Sequence, residues 1–397
     1  MRRLRTASAR RLTAVAAALA GLALTVGIAQ GALTGNGPVP QPKALASAIL
    51  DAFDAPEPDG LTAKIEFGND LLPSGSLPSG AASPLLSGAD GRLWIQKSGD
   101  FRIELQSSAG DAQIVALGDK VTVYDASSQT LYRLTLPRRP EDMTKPDHDG
   151  EKLTIARVQR ALDRVARTWT VSGARPTSTA GRPSYTVKVS PKDDGGLLGA
   201  AELAWDAVRG APLRAAVYAQ GTSDPVLELR ATDVSYDAVP DSAVRVAPPA
   251  GAEVVDLSAP SGVPPGKAHR RHDAVTGPAA VQRELGFELA APATLAGLPR
   301  KEVRLVSFDG EKGALAIYGE GLGAIGVLQR TAQPGSTKQR RGRSDLRLPE
   351  INIDGATGSE LATALGTIVT FERGGVAYVV AGSVPPVAAE NAARGLR

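Results

Sequence analysis

Cysteine is absent from the 397-residue chain, which excludes disulfides, thiolate zinc sites, cysteine nucleophiles and the lipid-modified cysteine of a bacterial lipoprotein. Histidine is nearly absent too. The three present, His148, His269 and His272, all fall in stretches whose composition reads as loop. A Ser-His-Asp triad would have to draw on His148, and no G-x-S-x-G elbow exists to receive it. His269-Arg270-Arg271-His272 has the spacing of a metal pair, but two arginines oppose a cation and no third ligand follows. Aromatic residues make up 4% of the chain, so its cores are built from Val, Leu, Ala and Ile. Carboxylates are plentiful, as in Asp193-Asp194 or Asp233 with Asp237, yet none sits in a pattern that demands general acid or base work. Gly321-Leu322-Gly323-Ala324-Ile325-Gly326 matches G-x-G-x-x-G, but the residues that follow read as a strand. The dinucleotide motif needs a helix N-terminus there, so a hairpin turn is expected. The chain therefore reads as a non-enzyme with no metal and no cofactor.

The formal charge of +3 suggests a basic protein until the charges are located. Five of the 45 basic residues (Arg2, Arg3, Arg5, Arg10, Arg11) lie in the first 31 positions with no acid among them. That leaves 40 basic against 42 acidic residues beyond, close to −2 overall. A nucleic-acid partner is not expected from such a balance. The arginines precede an uncharged stretch from Leu12 to Ala29, whose eighteen residues would span about 27 Å as a helix. Ala29-Gln30-Gly31 offers a peptidase site. Residues 1–34 thus read as a signal peptide or signal anchor, and both remain open. Either way the arginines stay inside and the rest is extracytoplasmic, anchored through residues 12–31 or secreted after cleavage near residue 31.

Residues 35–42 (GNGPVPQP) form a tether, and residues 43–257 a first domain. Lys43 to Ala55 spaces Leu45, Ile49, Ala52 and Phe53 as one face of a helix. A strand at 61–67 and a loop at 69–88 follow. From Gly91 to Pro137 apolar and polar residues alternate between short turn signals, the pattern of an antiparallel meander with one dry face. Leu93 and Ile95 oppose Arg92, Trp94 and Gln96; Phe101, Ile103 and Leu105 oppose Arg102, Glu104 and Gln106. Turns fall at Ser98-Gly99-Asp100, Ala109-Gly110-Asp111, Gly118-Asp119-Lys120 and 125–129. A charged loop at 137–150 precedes a helix over 151–168 with Leu153, Val158, Leu162 and Val165 as its stripe. Strands resume at 169–174, 184–190, 200–206, 212–220 and 225–236. Residues 258–279 read as a Pro- and Gly-rich linker. Residues 280–397 form a second α+β domain with strands at 301–308, 314–318, 325–330, 351–354, 367–372 and 376–381, the last two joined by Gly374-Gly375, and a closing helix from Val387 to Leu396. The basic run Lys338 to Arg347 reads as a solvated loop.

The order helix, strands, helix, strands over residues 43–257 resembles the lipoprotein-carrier superfamily of LolA, LolB and the RseB-like sensors. The residues that carry the likeness are Leu93-Trp94-Ile95, Lys97, Phe101, Ile114-Val115, Gly118-Asp119-Lys120, Val123-Tyr124-Asp125 and Tyr132. The resemblance implies an α+β fold: a curved, half-open antiparallel sheet, an incomplete barrel covered by helices, whose concave apolar face holds lipid or lipoprotein acyl chains. It places Leu93, Ile95, Phe101, Ile103, Leu105, Val121, Val123, Leu203, Trp205 and Val217 as candidate cavity residues. Lys97 stands where carriers often have an Arg followed by Pro, as a gating or polar residue; here Ser98 follows. The RseB-like branch implies an alternative role, a sensor that binds an anti-sigma factor or other envelope membrane protein. Residues 280–397 lie outside the resemblance to LolA and share only a weak likeness with C-terminal modules of exported regulators. Whether the dry face meets a ligand or only the protein's own helices is not decided by the sequence.

Overall fold

A computed structural model describes residues 37–72, 83–136, 153–192, 196–256, 275–308, 311–332 and 348–396. The leader, the charged loop at 137–150, Asp193-Asp194, the three histidines, most of the expected linker and the basic run at 338–347 lie outside those residues. Two units are present, and the second takes in Leu71, Leu72 and residues 196–198 besides its own continuous stretch from 275 onward.

The first unit opens with helix α1 (Leu45–Asp54), strand β1 (Gly60–Asn69) and one helical turn, α2 (Pro84–Ser87). The meander follows as β2 (Ala89–Gln96), β3 (Phe101–Ser107), β4 (Gly110–Leu117), β5 (Lys120–Asp125) and β6 (Thr130–Thr135). Helix α3 (Ile155–Val165) leads into β7 (Trp169–Val171), β8 (Arg175–Thr179), β9 (Arg182–Pro191), β10 (Leu198–Asp206), β11 (Pro212–Ala219) and β12 (Leu227–Ser235). A short helix α4 (Asp241–Val244) and β13 (Glu253–Asp256) close the unit. Hydrogen bonds order the strands β13-β6-β5-β4-β3-β2-β1-β12-β11-β10-β9-β7, with β8 also on β9. The sheet curls into an open half-barrel. Apart from the parallel β13–β6 pair, each register the structure gives is antiparallel, as the short turns require.

β1 is the keystone, pairing β2 on one side and β12, more than 150 residues later, on the other. Its alternation puts Leu61, Ala63 and Ile65, all nearly buried, on the concave face with Leu105, Ala112, Leu213, Ala231 and Val234. Helix α2 covers part of that face with Leu85. It forms because Pro84 pre-sets the first turn and Ser83 caps it, its Oγ accepting from Leu85 N–H at 3.3 Å. The sequence placed a loop here; one capped turn is too short to show a helical period. Helix α1 lies over the other half, packing Leu45, Ala48 and Ala52 on Tyr185 and Trp205. The expected stripe holds at Leu45 and Ala52, with Ala48 added, but not at Phe53, which is 40% exposed. The edge strand β8 falls in a stretch for which the sequence reading names no element; Pro176 lies inside it, and edges are where a sheet tolerates proline.

Between β12 and β13 the chain crosses the rim of the sheet and is tied to the meander on the way. Gln96 Nε2 donates to Val239 O and to Asp241 Oδ1, and Arg102 donates to Ala243 O. Asp100, 9% exposed, accepts from Gly118 N–H with one oxygen and from Arg245 with the other, both at 2.9 Å. Asp100→Ala is expected to cost about 1.5–3 kcal/mol, the range for a hydrogen bond to a charged group, and to speed amide exchange of residues 253–256; exchange unchanged there would show that the strap is held by other contacts.

The second unit is a single sheet ordered β14 (Thr294–Leu295), β15 (Leu298–Phe308), β16 (Glu311–Tyr318), β17 (Ile325–Thr331), β21 (Val376–Gly382), β20 (Gly366–Arg373), β19 (Ala356–Thr363) and β18 (Glu350–Ile353). One face carries α5 (Pro278–Gln282) and α6 (Pro386–Arg394) over a core of Val281, Val327, Val369, Val380, Ala389 and Leu396. Gln329, fully buried, closes both its amide hydrogen bonds on the backbone of Ala290 at 2.8 and 2.9 Å. The Gly374-Gly375 turn is the two-residue hairpin expected, with φ of +58° and +76°. The G-x-G-x-x-G run is likewise a hairpin: residues 321–323 form a 3₁₀ turn joining antiparallel β16 and β17.

Candidate ligand slot on the concave sheet face

The concave face of the first unit holds two adjoining cavities of about 110 and 40 Å³ that share Leu61, Ile95 and Pro212 in their walls. The inner one is lined by side chains of four strands, β1, β2, β11 and β12, among them Ala63, Ile65, Leu93, Leu213 and Leu229. The outer one is the mouth, formed where the last turn of α1 (Ala52, Phe53, Ala55) and the following Glu57-Pro58 face Lys97 and the Arg209-Gly210 turn. The slot is apolar, and its mouth carries Lys97 and Arg209 together with the acid Glu57.

Each mouth residue is held in place. Gly210 sits at φ +66° against the Ala52 carbonyl, so the backbone conformation and the close approach of α1 both require glycine. Asp206, 2% exposed, fixes the same turn: its Oδ1 accepts from Val208 N–H at 2.8 Å and Arg209 N–H at 3.0 Å, while Oδ2 accepts from Tyr236 O–H at 2.7 Å. Burial, then the Asp206 hydrogen bond, pushes the Tyr236 phenol far up, so it remains a donor at any physiological pH. Arg182 and Arg209 stand 5.4 and 5.8 Å from the Tyr236 ring centre. Across the mouth, Lys97 Nζ lies 2.6 Å from Asp59 Oδ1 in an exposed pair. Hydrogen bonding from Lys97 and its charge hold the Asp59 carboxyl below the usual carboxylate range.

Of the candidate residues, Leu93 and Ile95 line the slot and Lys97 stands at its mouth. Ile103 and Leu105 pack on the same apolar cluster one strand further out. Phe101 is buried opposite Ile95, and Val121 and Val123 continue that face through Ala116 and Ile114. Trp205 instead packs under α1, its ring centre 6.1 Å from that of Tyr185. Val217 is buried further along β11, and Leu203 is 38% exposed. Sequence reasoning missed the β1 and β12 walls and Arg209. The alternation Leu61, Ala63, Ile65 was visible, but nothing in the sequence says that β1 lies between β2 and β12.

The opposite face of the same strands is polar, and it is buried around Arg214, Glu202 and Lys188. Arg214 and Arg230 are paired across β11 and β12, and each takes its own carboxylate: Glu66 for Arg230, Glu228 for Arg214. Arg214 Nη1 also lies 3.5 Å from Glu202 Oε1, and Tyr218 O–H bridges Arg214 and Glu202 at 3.0 and 3.2 Å. Lys188 is 5% exposed beside them, its Nζ 5.2 Å from the Tyr218 ring centre, and burial pushes its ammonium down. Among the described residues no cluster of three His, Asp or Glu could hold a metal, and no helix is long and apolar enough to cross a membrane.

The architecture is the curved, half-open antiparallel sheet with helices on its concave side that the lipoprotein-carrier resemblance implied. No protein-family model and no curated protein matches the chain. Among solved structures it is similar to that of the Pseudomonas aeruginosa MucA/MucB complex, at 14% identity and a TM-score of 0.40 over 88% of this chain and 94% of that one. A putative outer membrane lipoprotein-sorting protein domain from Vibrio parahaemolyticus matches at 9% identity and 0.23, over 50% of this chain and 94% of its own. A LolA superfamily protein from Nitrosomonas europaea matches at 14% and 0.21, over 51% and 98%.

Proposed function

We propose that the protein is an exported or membrane-anchored, non-enzymatic binding protein that takes the acyl end of a lipid or lipoprotein into the concave slot of its first unit. The observation that carries this reading is the slot itself, with aliphatic walls from β1, β2, β11 and β12 and Lys97 and Arg209 at the mouth. Ordinary small-molecule sites occupy about 300–1,000 Å³, well above the 110 and 40 Å³ of these cavities. As it stands the slot accepts the tip of a chain, and each methylene buried there contributes about 0.8 kcal/mol.

Native mass spectrometry of the purified protein, with extraction of bound lipid and titration with a fluorescent fatty acid, tests the reading. Protein that carries no lipid and takes up no fatty acid would remove it. Within it, Asp59 competes with the ligand's carboxylate for Lys97. Asp59→Asn is therefore expected to tighten fatty-acid binding about threefold at neutral pH, in keeping with the small worth of an exposed pair. Below the lowered range of Asp59 the wild type loses its charge competitor and the two proteins converge. Equal affinities at neutral pH would separate Lys97 from ligand binding.

The small volume also favours a second reading, in which the face receives one or two apolar side chains of an envelope membrane protein, as an RseB-like sensor would. Cross-linking that captures one membrane protein, with no lipid in the mass spectrum, selects it.

A further inference from the structure

Helix α3 is divided lengthwise. Val158 is buried and Leu162 half-buried against α1 and the sheet edge, whereas Arg160, Arg164 and Arg167 are exposed on the far side. At 100° per residue Arg160 and Arg164 fall within about 40° of one another, and Arg167 follows in the exposed turn after the helix. Lys192, also exposed, joins them at the C-terminal end, its N–H donating to Thr168 O at 3.2 Å. Ile155 and Val165 flank the buried ridge and stay 52% and 40% exposed. The acid on this helix, Asp163, is hydrogen-bonded to Gln159 at 2.9 Å, and α1 contributes Asp51, bound to Lys43, and Asp54. The face is a cationic strip on the side of the helix away from Ile155 and Val165.

The way the chain enters the first unit says what the strip meets. Tyr185 O–H donates to Gln41 O at 2.6 Å and Gly37 rests on Ser178 of β8, so the tether is pinned along the β8–β9 edge. Both β7, which follows α3, and β8 pair with β9 on that edge. Ser178 is opposite Pro183 and Trp169 opposite Pro191, which separates the tether's entry from the end of α3 by about 27 Å along the strand. Seven residues, 30–36, lie between the apolar leader and Gly37, a reach of about 25 Å at most. A leader retained in the bilayer therefore keeps the tether's entry at Gly37 within about 25 Å of the membrane surface, and α3, on the same edge, within reach of it.

We infer that the arginine face of α3, with Lys192, docks on the anionic lipid of the membrane in which the leader is anchored, laying the first unit edge-on to the bilayer. The inference does not depend on the ligand slot; it depends on the leader being kept. Each cation near such a surface is worth about fivefold in affinity, so losing three arginines weakens the contact by about a hundredfold, and raised salt does the same.

Because the chain has no cysteine, Ala161→Cys places a single donor fluorophore on an exposed position of α3. The full chain is reconstituted into nanodiscs of phosphatidylcholine alone, or with 30% phosphatidylglycerol, each containing a headgroup-labelled acceptor lipid. Energy transfer is expected to be higher in the anionic discs, to fall on adding 0.5 M NaCl, and to drop to the neutral-disc level in the R160Q/R164Q/R167Q variant. All three side chains are solvent-exposed, so an unchanged thermal melt accompanies that loss. Equal transfer in both lipids, or a triple variant that still responds to phosphatidylglycerol, overturns the inference. So does protein that enters neither kind of disc, since the anchor then fails. A change caused by soluble polyglutamate but not by anionic discs would assign the face to an acidic protein instead, and also overturn it.

Discussion

Arg214→Met is expected to destabilise the first unit by about 3–5 kcal/mol, the cost of leaving buried charge without its partner. Arg214 is 5% and Glu202 7% exposed, and Glu228 is 23% exposed. Removing the guanidinium leaves two carboxylates facing each other and takes a hydrogen bond from Tyr218. Burial opposes the arginine's charge, but Tyr218 and Glu228 more than offset it, so its pKa is raised above the ordinary value. The cost lies in the broken network rather than in the size of the side chain. R214M/E202Q/E228Q removes both facing carboxylates but leaves Arg175 and the buried Lys188 without Glu202, so it is expected to recover only part of the loss. Denaturant unfolding followed by tryptophan emission reads this unit alone, because Trp94, Trp169 and Trp205 all lie in it. A single variant within 1 kcal/mol of wild type, or a triple variant no better than the single, would show that the cluster is solvated or unimportant.

Ala55→Trp is expected to lower fatty-acid affinity by about tenfold or more with little change in thermal stability. Ala55 is the half-buried cap residue of α1 and lines the mouth, so an indole there occupies the opening rather than the core. Excluding two methylenes of ligand at about 0.8 kcal/mol each corresponds to about tenfold. Fatty-acid titration beside a thermal melt separates plugging from unfolding. Unchanged affinity would move the binding site away from the slot, whatever lipid the protein carries.

The meander from Gly91 to Pro137 was legible almost residue by residue, because local alternation and turn residues act over a few positions. The Gly374-Gly375 hairpin and the non-nucleotide role of Gly321 to Gly326 were legible for the same reason. Strand β8 was not, since Pro176 and its Ser and Thr neighbours look like loop unless the strand is known to be an edge. Nor was β13, whose four residues pair in parallel with β6 only because the strap carries them across the rim. The slot was half visible. Leu93, Ile95 and Lys97 were chosen from the meander's dry face; Leu61, Ala63 and Leu229 were read as strand residues but joined to nothing.

By itself the sequence determined the antiparallel meander and which residues share a face, because these depend on turn residues and on a two-residue period. The tertiary structure decided that β1 joins the meander to β12, that α1 leaves a narrow slot at their junction, and that Arg214 and Glu202 are buried on the other face. Those outcomes rest on contacts between residues more than a hundred positions apart or on neighbouring strands whose order no local pattern encodes. A period of two says which way a side chain points. It does not say what stands opposite.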